Sequence, residues 1–181
     1  MTFQQQINAP GFALCTPRLR LAPLAPEHFA AYRQGMDAAV TRYQYPDPFP
    51  SPEAAAKTLS SFCRLHQQGR GLFLAILEAV SGDFLGAVEV SDTDTETPEI
   101  GLWLCVSAQG QGYGCEALCA AVDFCRRQLA PAYLLYEVDQ RNVPSIRLVE
   151  KLGARSHGCE RVTTPSGKTL LLEQYHIGEN T

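Results

Sequence analysis

Hydrophobic and polar residues in the first part of the chain predict a strand followed by two helices. Leu19 and Leu21 alternate with polar neighbours in RLRLAPL, which is the pattern of a half-buried strand. Pro26 then begins a helix, because proline is favoured in a first helical turn. The segment SPEAAAKTLSSFCRLHQQG at 51–69 has a capping serine and a proline at its start and a glycine at its end, so it predicts a second helix.

The rest of the chain predicts a largely antiparallel sheet that helices interrupt. LFLAILEAV and FLGAVEVSD flank the turn residues SGD and predict a hairpin, and PEIGLWLCV follows as a third neighbouring strand. Apolar residues recur at helical spacing from Leu118 to Leu129, in a helix that begins near Gly112 or Gly114. YLLYEVD is then typical of a strand, NVPSIRLVEKLG of a short helix, and ERVTT and TLLLEQYHI of a closing hairpin.

Composition favours one globular domain of ordinary size. With 181 residues, 45% hydrophobic and 19% charged, the chain is expected to form a single domain over 1–181, with its core at about 14–178 and an N-terminal extension at 1–13. A net charge of -4 gives no overall field for binding nucleic acid or an acidic membrane. The chain shows neither a secretory signal nor a long apolar run, so we expect a cytoplasmic protein.

Cysteine and histidine residues show no spacing typical of a metal site or a nucleophilic triad. The cysteines are Cys15, Cys63, Cys105, Cys115, Cys119, Cys125 and Cys159, and the histidines are His28, His66, His157 and His176. The cysteines include no CxxC pair and are odd in number, which argues against a complete disulfide framework. We therefore interpret the cysteines as free thiols and the histidines as structural residues, and we expect no metal.

Three alternating glycines, Gly110, Gly112 and Gly114, precede the predicted helix in QGQGYGCEALCAAV. Glycine lets a ligand approach the main chain, and the unpaired amides at a helix N-terminus attract anions, so this stretch predicts a phosphate site. It is not a dinucleotide fingerprint, which requires GxGxxG, because Cys115 occupies the last position. It is not a P-loop either, because no GK[ST] follows the glycines. A glycine-rich turn without a ligand remains the alternative at this point.

The motif and its surroundings resemble the GNAT superfamily of acetyl-coenzyme A-dependent N-acetyltransferases. That family carries a strand, then (R/Q)xxGx(G/A), then a helix, and Gln109, Gly112 and Gly114 fill the defined positions here. EIGLWL at 99–104 and NVPSIRLVEKLGA at 142–154 are similar to EIGYWL and NxxSxxxxEKLGF of the branch that acetylates ribosomal-protein N-termini. TPRLRLAPLAPEHF resembles that branch's first strand and helix, so the resemblance spans nearly the whole chain.

The resemblance implies an α/β (α+β) single-domain fold around acetyl-coenzyme A. Its mixed, mostly antiparallel sheet of about seven strands is flanked by about four helices, and strands four and five, PEIGLWLCV and YLLYEVD, splay apart around the cofactor. The cofactor-binding residues that it implies are Leu104, Cys105, Val106, Gln109, Gly110, Gln111, Gly112, Tyr113, Gly114 and Asn142. Asn142 is equally suited to cap the next helix, and a main-chain N–H near Cys105 or Val106 is expected to stabilise the tetrahedral oxyanion.

Two catalytic residues follow from the same resemblance. Ser145 matches the family position that protonates the departing thiolate, although its place in a first helical turn also suits a purely structural serine. Glu99 corresponds to the general base of some members, because a protonated amine must lose a proton before it attacks. Glu89, Glu137 and Asp139 remain rival carboxylates.

The acceptor implied by the resemblance is a primary amine, with a peptide or protein N-terminus as the first choice. A small amine such as an antibiotic, polyamine or amino acid is the alternative, and a noncatalytic coenzyme A-binding regulatory module is another. Tyr43, Tyr45 and Phe49, around the proline-rich YPDPFPSP, either line the acceptor pocket or serve packing. We expect no nucleic-acid or membrane partner, and a monomer or homodimer.

Overall fold

A single sheet organises the computed structural model, which describes residues 1–178. In chain order its strands are β1 (Leu14–Cys15), β2 (Leu19–Pro23), β3 (Gly71–Glu78), β4 (Phe84–Ser91), β5 (Glu99–Leu104), β6 (Leu134–Asp139), β7 (Arg155–Thr163) and β8 (Thr169–Ile177). Their spatial order is β1-β2-β3-β4-β5-β6-β8-β7. All neighbouring pairs are antiparallel except β5 and β6, which are parallel.

Five α-helices lie among the described residues. They are α1 (Phe3–Ile7), α2 (Phe29–Gly35), α3 (Pro52–Gln67), α4 (Tyr113–Leu129) and α5 (Val143–Lys151). The predicted fold class is confirmed, with one strand and one helix more than the seven and four predicted. The additional elements, α1 and β1, have five and two residues, which is too short to produce a periodic pattern.

The helix starts lie where the sequence signals place them. Ser51 caps α3 by accepting a hydrogen bond from the Ala54 N–H at 3.2 Å. Gly112 is the N-cap of α4, in a left-handed conformation with φ of +82°. The helix predicted from Pro26 begins as a 3-10 turn, Pro26–His28, and continues directly into α2.

Two hydrophobic layers cover the two faces of the sheet. On one face, α4 and α5 pack over β5 residues such as Ile100, with Leu118 of α4 fully buried. On the other face, α2 and α3 pack over Trp103, with Leu59 of α3 fully buried. This division follows from the alternation of side chains along a strand. It places Glu99, Gly101 and Trp103 on the α2 side of β5.

The first thirteen residues are packed on the domain. Ile7 is 1% exposed, and the rings of Phe3 and Phe12 contact Phe124 of α4. His66 of α3 joins this segment to the sheet, because its Nε2 lies 3.2 Å from the Ile7 carbonyl and its Nδ1 accepts the N–H of Phe73. His66 therefore has the structural role predicted for it, and burial lowers its pKa.

The sheet opens between β5 and β6. Among the described residues their register holds at a single pair, Glu99 opposite Leu135, and the Leu135 N–H donates to the Pro98 carbonyl at 2.9 Å. Along its other edge β5 pairs with β4 from Glu99 to Leu104. The two parallel strands therefore separate beyond Glu99, as the predicted splay of strands four and five requires, and one edge of β5 faces the cleft.

Candidate active site

The cleft edge of β5 offers main-chain groups to a ligand. The Cys105 N–H donates to the Leu85 carbonyl of β4 at 2.8 Å. Because main-chain groups alternate in direction along a strand, those of Leu102 and Leu104 face the cleft. Cys105 cannot supply the expected oxyanion contact, since its N–H is used within the sheet. Val106 lies beyond the strand, in the 3-10 turn Val106–Ala108, with about half of its surface exposed.

The glycine loop continues directly from this turn into α4. The first α4 hydrogen bond runs from the Glu116 N–H to the Gly112 carbonyl at 3.2 Å, so the amides of Tyr113, Gly114 and Cys115 have no acceptor within the helix. Gly110 and Gly112 both have positive φ, and a Cβ on Gly110 would meet no atom within 4 Å. These open, unpaired amides suit a pyrophosphate.

Two glutamines and an arginine hold this loop in place. Gln109 Nε2 donates to the Leu104 carbonyl at 3.0 Å, and Gln111 Nε2 donates to the Ser107 carbonyl at 2.8 Å. Arg18, before β2, donates to the Gln111 carbonyl at 2.9 Å and forms an ion pair of 2.6 Å with Glu116 of α4. Its guanidinium also lies 4.6 Å from the centre of the Tyr113 ring. Sequence reasoning missed Arg18, whose contacts lie more than ninety positions along the chain.

Gly114 has a different role from the other loop glycines. Its φ is not positive, and a Cβ there would lie 2.8 Å from Leu148 Cδ1 of α5 and 3.5 Å from Leu104 Cδ1. The missing side chain therefore lets α4 pack closely on α5 and β5. Of the three glycines, Gly110 and Gly112 serve the loop conformation and Gly114 serves helix packing.

A cavity of about 180 Å³ opens at the splay, on the α2 side of β5. Its lining includes both predicted catalytic residues, Glu99 and Ser145, together with Asn142. Tyr43 and Tyr45 line it as well, so the expectation that they form a pocket wall is confirmed. Phe49 is not among the lining residues and packs against the α2 layer, near the ring of Tyr32.

Three carboxylates face the cavity from three neighbouring strands: Glu89 of β4, Glu99 of β5 and Glu137 of β6. Although Glu99 reaches solvent, desolvation by surrounding protein raises its pKa, and repulsion from Glu137, Asp92 and Glu89 adds to the effect. Glu89 lies directly opposite Gly101, where a Cβ would meet nothing within 4 Å. The open space at Gly101 therefore connects Glu89 and Glu99, the two candidate bases, to the cleft.

Glu89 belongs to a buried polar cluster that the sequence did not reveal. Tyr32 of α2 donates a short hydrogen bond to Glu89 Oε1, and its ring packs edge-on against Trp103 at 4.8 Å. Burial raises the pKa of Glu89, while Tyr32 and the nearby indole of Trp103 oppose that rise. The Trp103 Nε1 is buried and makes no hydrogen bond of good geometry with the described residues. Asp139, by contrast, is held by Arg141 and does not line the cavity.

Ser145 is paired with a tyrosine at the cavity surface. Asn142 Oδ1 accepts the Ser145 N–H at 3.4 Å and so caps α5, as the capping interpretation predicted. The Ser145 hydroxyl lies 2.9 Å from the hydroxyl of Tyr136 on β6. Tyr136 is 2% exposed, and burial raises its pKa while the Ser145 contact opposes that shift. Its position in YLLYEVD could not be distinguished from that of an ordinary core tyrosine.

The described residues 1–178 contain no group of three or more His, Cys, Asp or Glu side chains placed to hold a metal ion. No helix among them is both long enough and apolar enough to cross a membrane. A family model described as an acetyltransferase (GNAT) domain matches residues 18–155. The chain belongs to the GNAT acetyltransferase family. It is an acyltransferase with acetyl-coenzyme A as its cosubstrate, and the open amides at the start of α4 suit that substrate.

Solved GNAT structures share the fold of this chain. RimL, a ribosomal-protein α-N-acetyltransferase in complex with coenzyme A, is 20% identical, with a TM-score of 0.81 over 93% of this chain and 100% of that chain. A GNAT acetyltransferase from Bacillus anthracis is 19% identical, with a TM-score of 0.76 over 91% and 96%. Spermidine N-acetyltransferase from Vibrio cholerae, with coenzyme A and spermine, is 15% identical, with a TM-score of 0.77 over 90% and 96%. Among curated proteins, none matches this sequence significantly.

Proposed function

We propose that this protein transfers the acetyl group of acetyl-coenzyme A directly to the amine of a peptide or protein N-terminus. The observation that carries the proposal is the cavity at the splay, where candidate bases and a hydroxyl pair face one another beside cleft-facing main-chain groups of β5. The amides of residues 110–115 hold the pyrophosphate. The pantetheine arm lies along the cleft edge of β5, where the Leu102 and Leu104 main-chain groups bind it as a strand would.

The carboxylates of the cavity bind and deprotonate the acceptor amine. Glu99 attracts the ammonium group and accepts its proton, directly or through water, and a raised pKa brings it closer to that of the amine. Glu89, across the open space at Gly101, is the alternative base. The freed lone pair attacks the acetyl carbonyl carbon, which forms the C–N bond and a tetrahedral oxyanion. Collapse of the oxyanion breaks the C–S bond, and the nitrogen releases its second proton to solvent. A cleft-facing N–H of Leu102 or Leu104 stabilises the oxyanion.

The hydroxyl side of the cavity receives the leaving group. As the sulfur departs with the bonding electrons, the Ser145 hydroxyl gives it a proton and takes one from Tyr136 or solvent in turn. Asn142 fixes the first turn of α5 and so fixes Ser145. The Tyr136 contact holds the Ser145 hydroxyl at the cavity surface. No covalent enzyme intermediate is required.

Two features bear on the acceptor. Tyr45 is 52% exposed at the cavity wall and offers apolar contact to the residues that follow a reacting N-terminus, which supports a peptide. The similarity to RimL supports the same choice. Three carboxylates and no lysine or arginine among the described lining residues favour a polyamine as the second candidate, in line with the similarity to spermidine N-acetyltransferase.

A transfer assay with matched acceptors tests the proposal. Acetyl-coenzyme A is supplied with a panel of short peptides, each with a free or a blocked N-terminus, and with spermidine, an aminoglycoside and free amino acids. Coenzyme A release and the mass of the acceptor are both measured. Acetylation of free but not blocked peptides supports the proposal. Acetylation of spermidine alone overturns the peptide assignment, and tight acetyl-coenzyme A binding without transfer to any amine overturns the catalytic one.

A further inference from the structure

One wall of the acceptor cavity is a short irregular segment that a distant lysine holds. The segment runs from the 3-10 turn Val40–Tyr43 to Asp47, and its residues 43–46 line the cavity. Lys168, which lies just before β8, donates from Nζ to the Thr41 carbonyl at 2.9 Å and to the Gln44 carbonyl at 3.0 Å. It also forms a close ion pair with Asp47. The three donors of the ammonium group thus meet three acceptors on one segment.

Lys168 is itself held rigidly. The β7–β8 turn closes through a hydrogen bond of 2.8 Å from the Thr164 N–H to the Lys168 carbonyl, and the Lys168 N–H donates to Thr164 Oγ1 at 3.1 Å. Thr164 is buried, and the Lys168 side chain is 24% exposed. A lysine whose main chain is held in a turn and whose three N–H donors are all bonded has little conformational freedom. It therefore forms a rigid link, here called a strut, between the β7–β8 hairpin and the cavity wall.

A second contact fixes the same wall from the segment that leads into α5. The Arg141 guanidinium lies 5.3 Å from the centre of the Tyr43 ring. Arg141 is in turn held by the buried carboxylate of Asp139, through Nε at 2.7 Å and Nη2 at 2.9 Å. Tyr43 is thus oriented by the segment that leads into α5, while Lys168 sets the main chain around it. The wall thus has two supports, Arg141 and Lys168, and neither is among the residues that line the cavity.

We propose that Lys168 is a positioning residue that sets the shape of the acceptor site and thereby its selectivity. The inference deepens the proposed function and rests on it. Loss of the Lys168 contacts would free Thr41, Gln44 and Asp47 together, so the tyrosine wall would lose its fixed distance from the carboxylates. The glycine loop is held by contacts with Leu104, Ser107 and Arg18, and none of these residues belongs to this segment, so the cofactor site should be unaffected.

The experiment compares Lys168→Met with Lys168→Arg and with Lys57→Met, on the exposed side of α3. Trp103 is the single tryptophan and lines the cavity, so acrylamide quenching of its fluorescence reports wall opening without a substrate. For Lys168→Met we expect stronger quenching and a KM for the best acceptor raised about fivefold or more, with kcat and the acetyl-coenzyme A Kd within about twofold. Lys168→Arg keeps the charge, so its acceptor KM should lie between those of Lys168→Met and the wild type.

The proposal is overturned if Lys168→Met matches Lys57→Met in both quenching and acceptor KM. If Lys168→Met does not fold, Asp47→Asn removes the ion pair from the wall side and is measured in the same way, with the same two outcomes. Quenching also separates this inference from the proposed function. If the wall opens in Lys168→Met but the protein acetylates no amine, the role of Lys168 in holding the wall is supported and only the proposed transfer to an amine is overturned.

Discussion

The proposed cofactor loop and the proposed acceptor cavity meet at β5, yet the chain assembles them differently. The loop is continuous, from Gln109 to Gly114, and depends on main-chain amides at the start of one helix. The cavity collects side chains from positions as far apart as Tyr32 and Ser145. A main-chain site tolerates changes in its side chains, whereas an assembled site depends on each of its members. Mutations should therefore separate the two regions by the kinetic constant they affect.

The largest effect is expected from Glu99→Gln, which keeps the size of the side chain and removes its basicity. We expect turnover to fall about 100-fold, in the range of general-base contributions. Burial and neighbouring carboxylates raise the pKa of Glu99, so the wild-type turnover should rise with pH through a value above the usual glutamate pKa of about 4.3. The difference in turnover between Glu99→Gln and the wild type should become smaller at high pH, because more of the amine is then already deprotonated. Turnover against pH checks this, with Glu96→Gln as the control.

A Glu99→Gln profile that overlays the wild type would assign the base to Glu89, Glu137 or solvent. In that case the comparison would still hold, because each rival lies on the acceptor side. The separation of the two regions would be contradicted only if Glu99→Gln changed the acetyl-coenzyme A affinity as much as it changed turnover.

The next effect belongs to the cofactor loop. Gly112 has φ of +82°, and a Cβ there would lie 3.4 Å from Arg18 Nη2, so Gly112→Val distorts the loop and blocks close approach to its amides. We expect acetyl-coenzyme A binding to weaken at least about tenfold, or about 1.4 kcal/mol. Gly82→Val is the matched control, since Gly82 has φ of +77° in the β3–β4 turn. Equal calorimetric affinities for the two variants would remove Gly112 from the cofactor site.

The contrast between the regions also explains what the sequence alone could predict. The long periodic segments predicted β2 to β8 and α2 to α5, and the continuous glycine motif predicted the loop and the start of α4, while its binding of the cofactor stays a prediction. The two-residue β1 and five-residue α1 left no pattern. Lys168 donates a hydrogen bond to the Thr41 carbonyl, 127 residues away in the sequence, and no local sequence pattern encodes such a contact. Tyr136 and Tyr32 occupy strand and helix positions where a core aromatic residue is expected, so only the fold reveals their polar partners.

A smaller effect is expected from Ser145→Ala on the hydroxyl side of the cavity. A thiol pKa of about 8.5 makes the thiolate a tolerable leaving group, so turnover should fall by about tenfold or less. Acetyl-coenzyme A affinity should stay within a few fold, because the lost contact forms mainly in the transition state. Tyr136→Phe should give a similar loss, and the double variant should lose little more, because the two hydroxyls act as one unit. Ser60→Ala on α3 is the control; additive losses would contradict the pairing.

The smallest effect concerns stability. Burial raises the pKa of Glu89 despite the opposing contacts of Tyr32 and Trp103. The folded protein therefore holds the Glu89 proton more tightly than the unfolded chain does. This contribution to stability is fully present below the unfolded pKa of about 4.3 and is lost as the pH rises through the folded value. A charged Glu89 at neutral pH is thus a cost that the acceptor site carries.

Glu89→Gln should remove that cost while its amide oxygen still accepts the Tyr32 hydrogen bond. We expect its Tm to exceed that of the wild type at pH 7, and we expect the difference in Tm to shrink toward pH 4. In a chain of this size, each kcal/mol of added stability raises the Tm by about 2 to 4 °C. Thermal unfolding of Glu89→Gln and of Glu160→Gln, on the exposed strand β7, measures it across this range. A lower Tm for Glu89→Gln at pH 7 would show that the carboxylate stabilises the fold through Tyr32. Glu89 would then be a structural residue of the acceptor side.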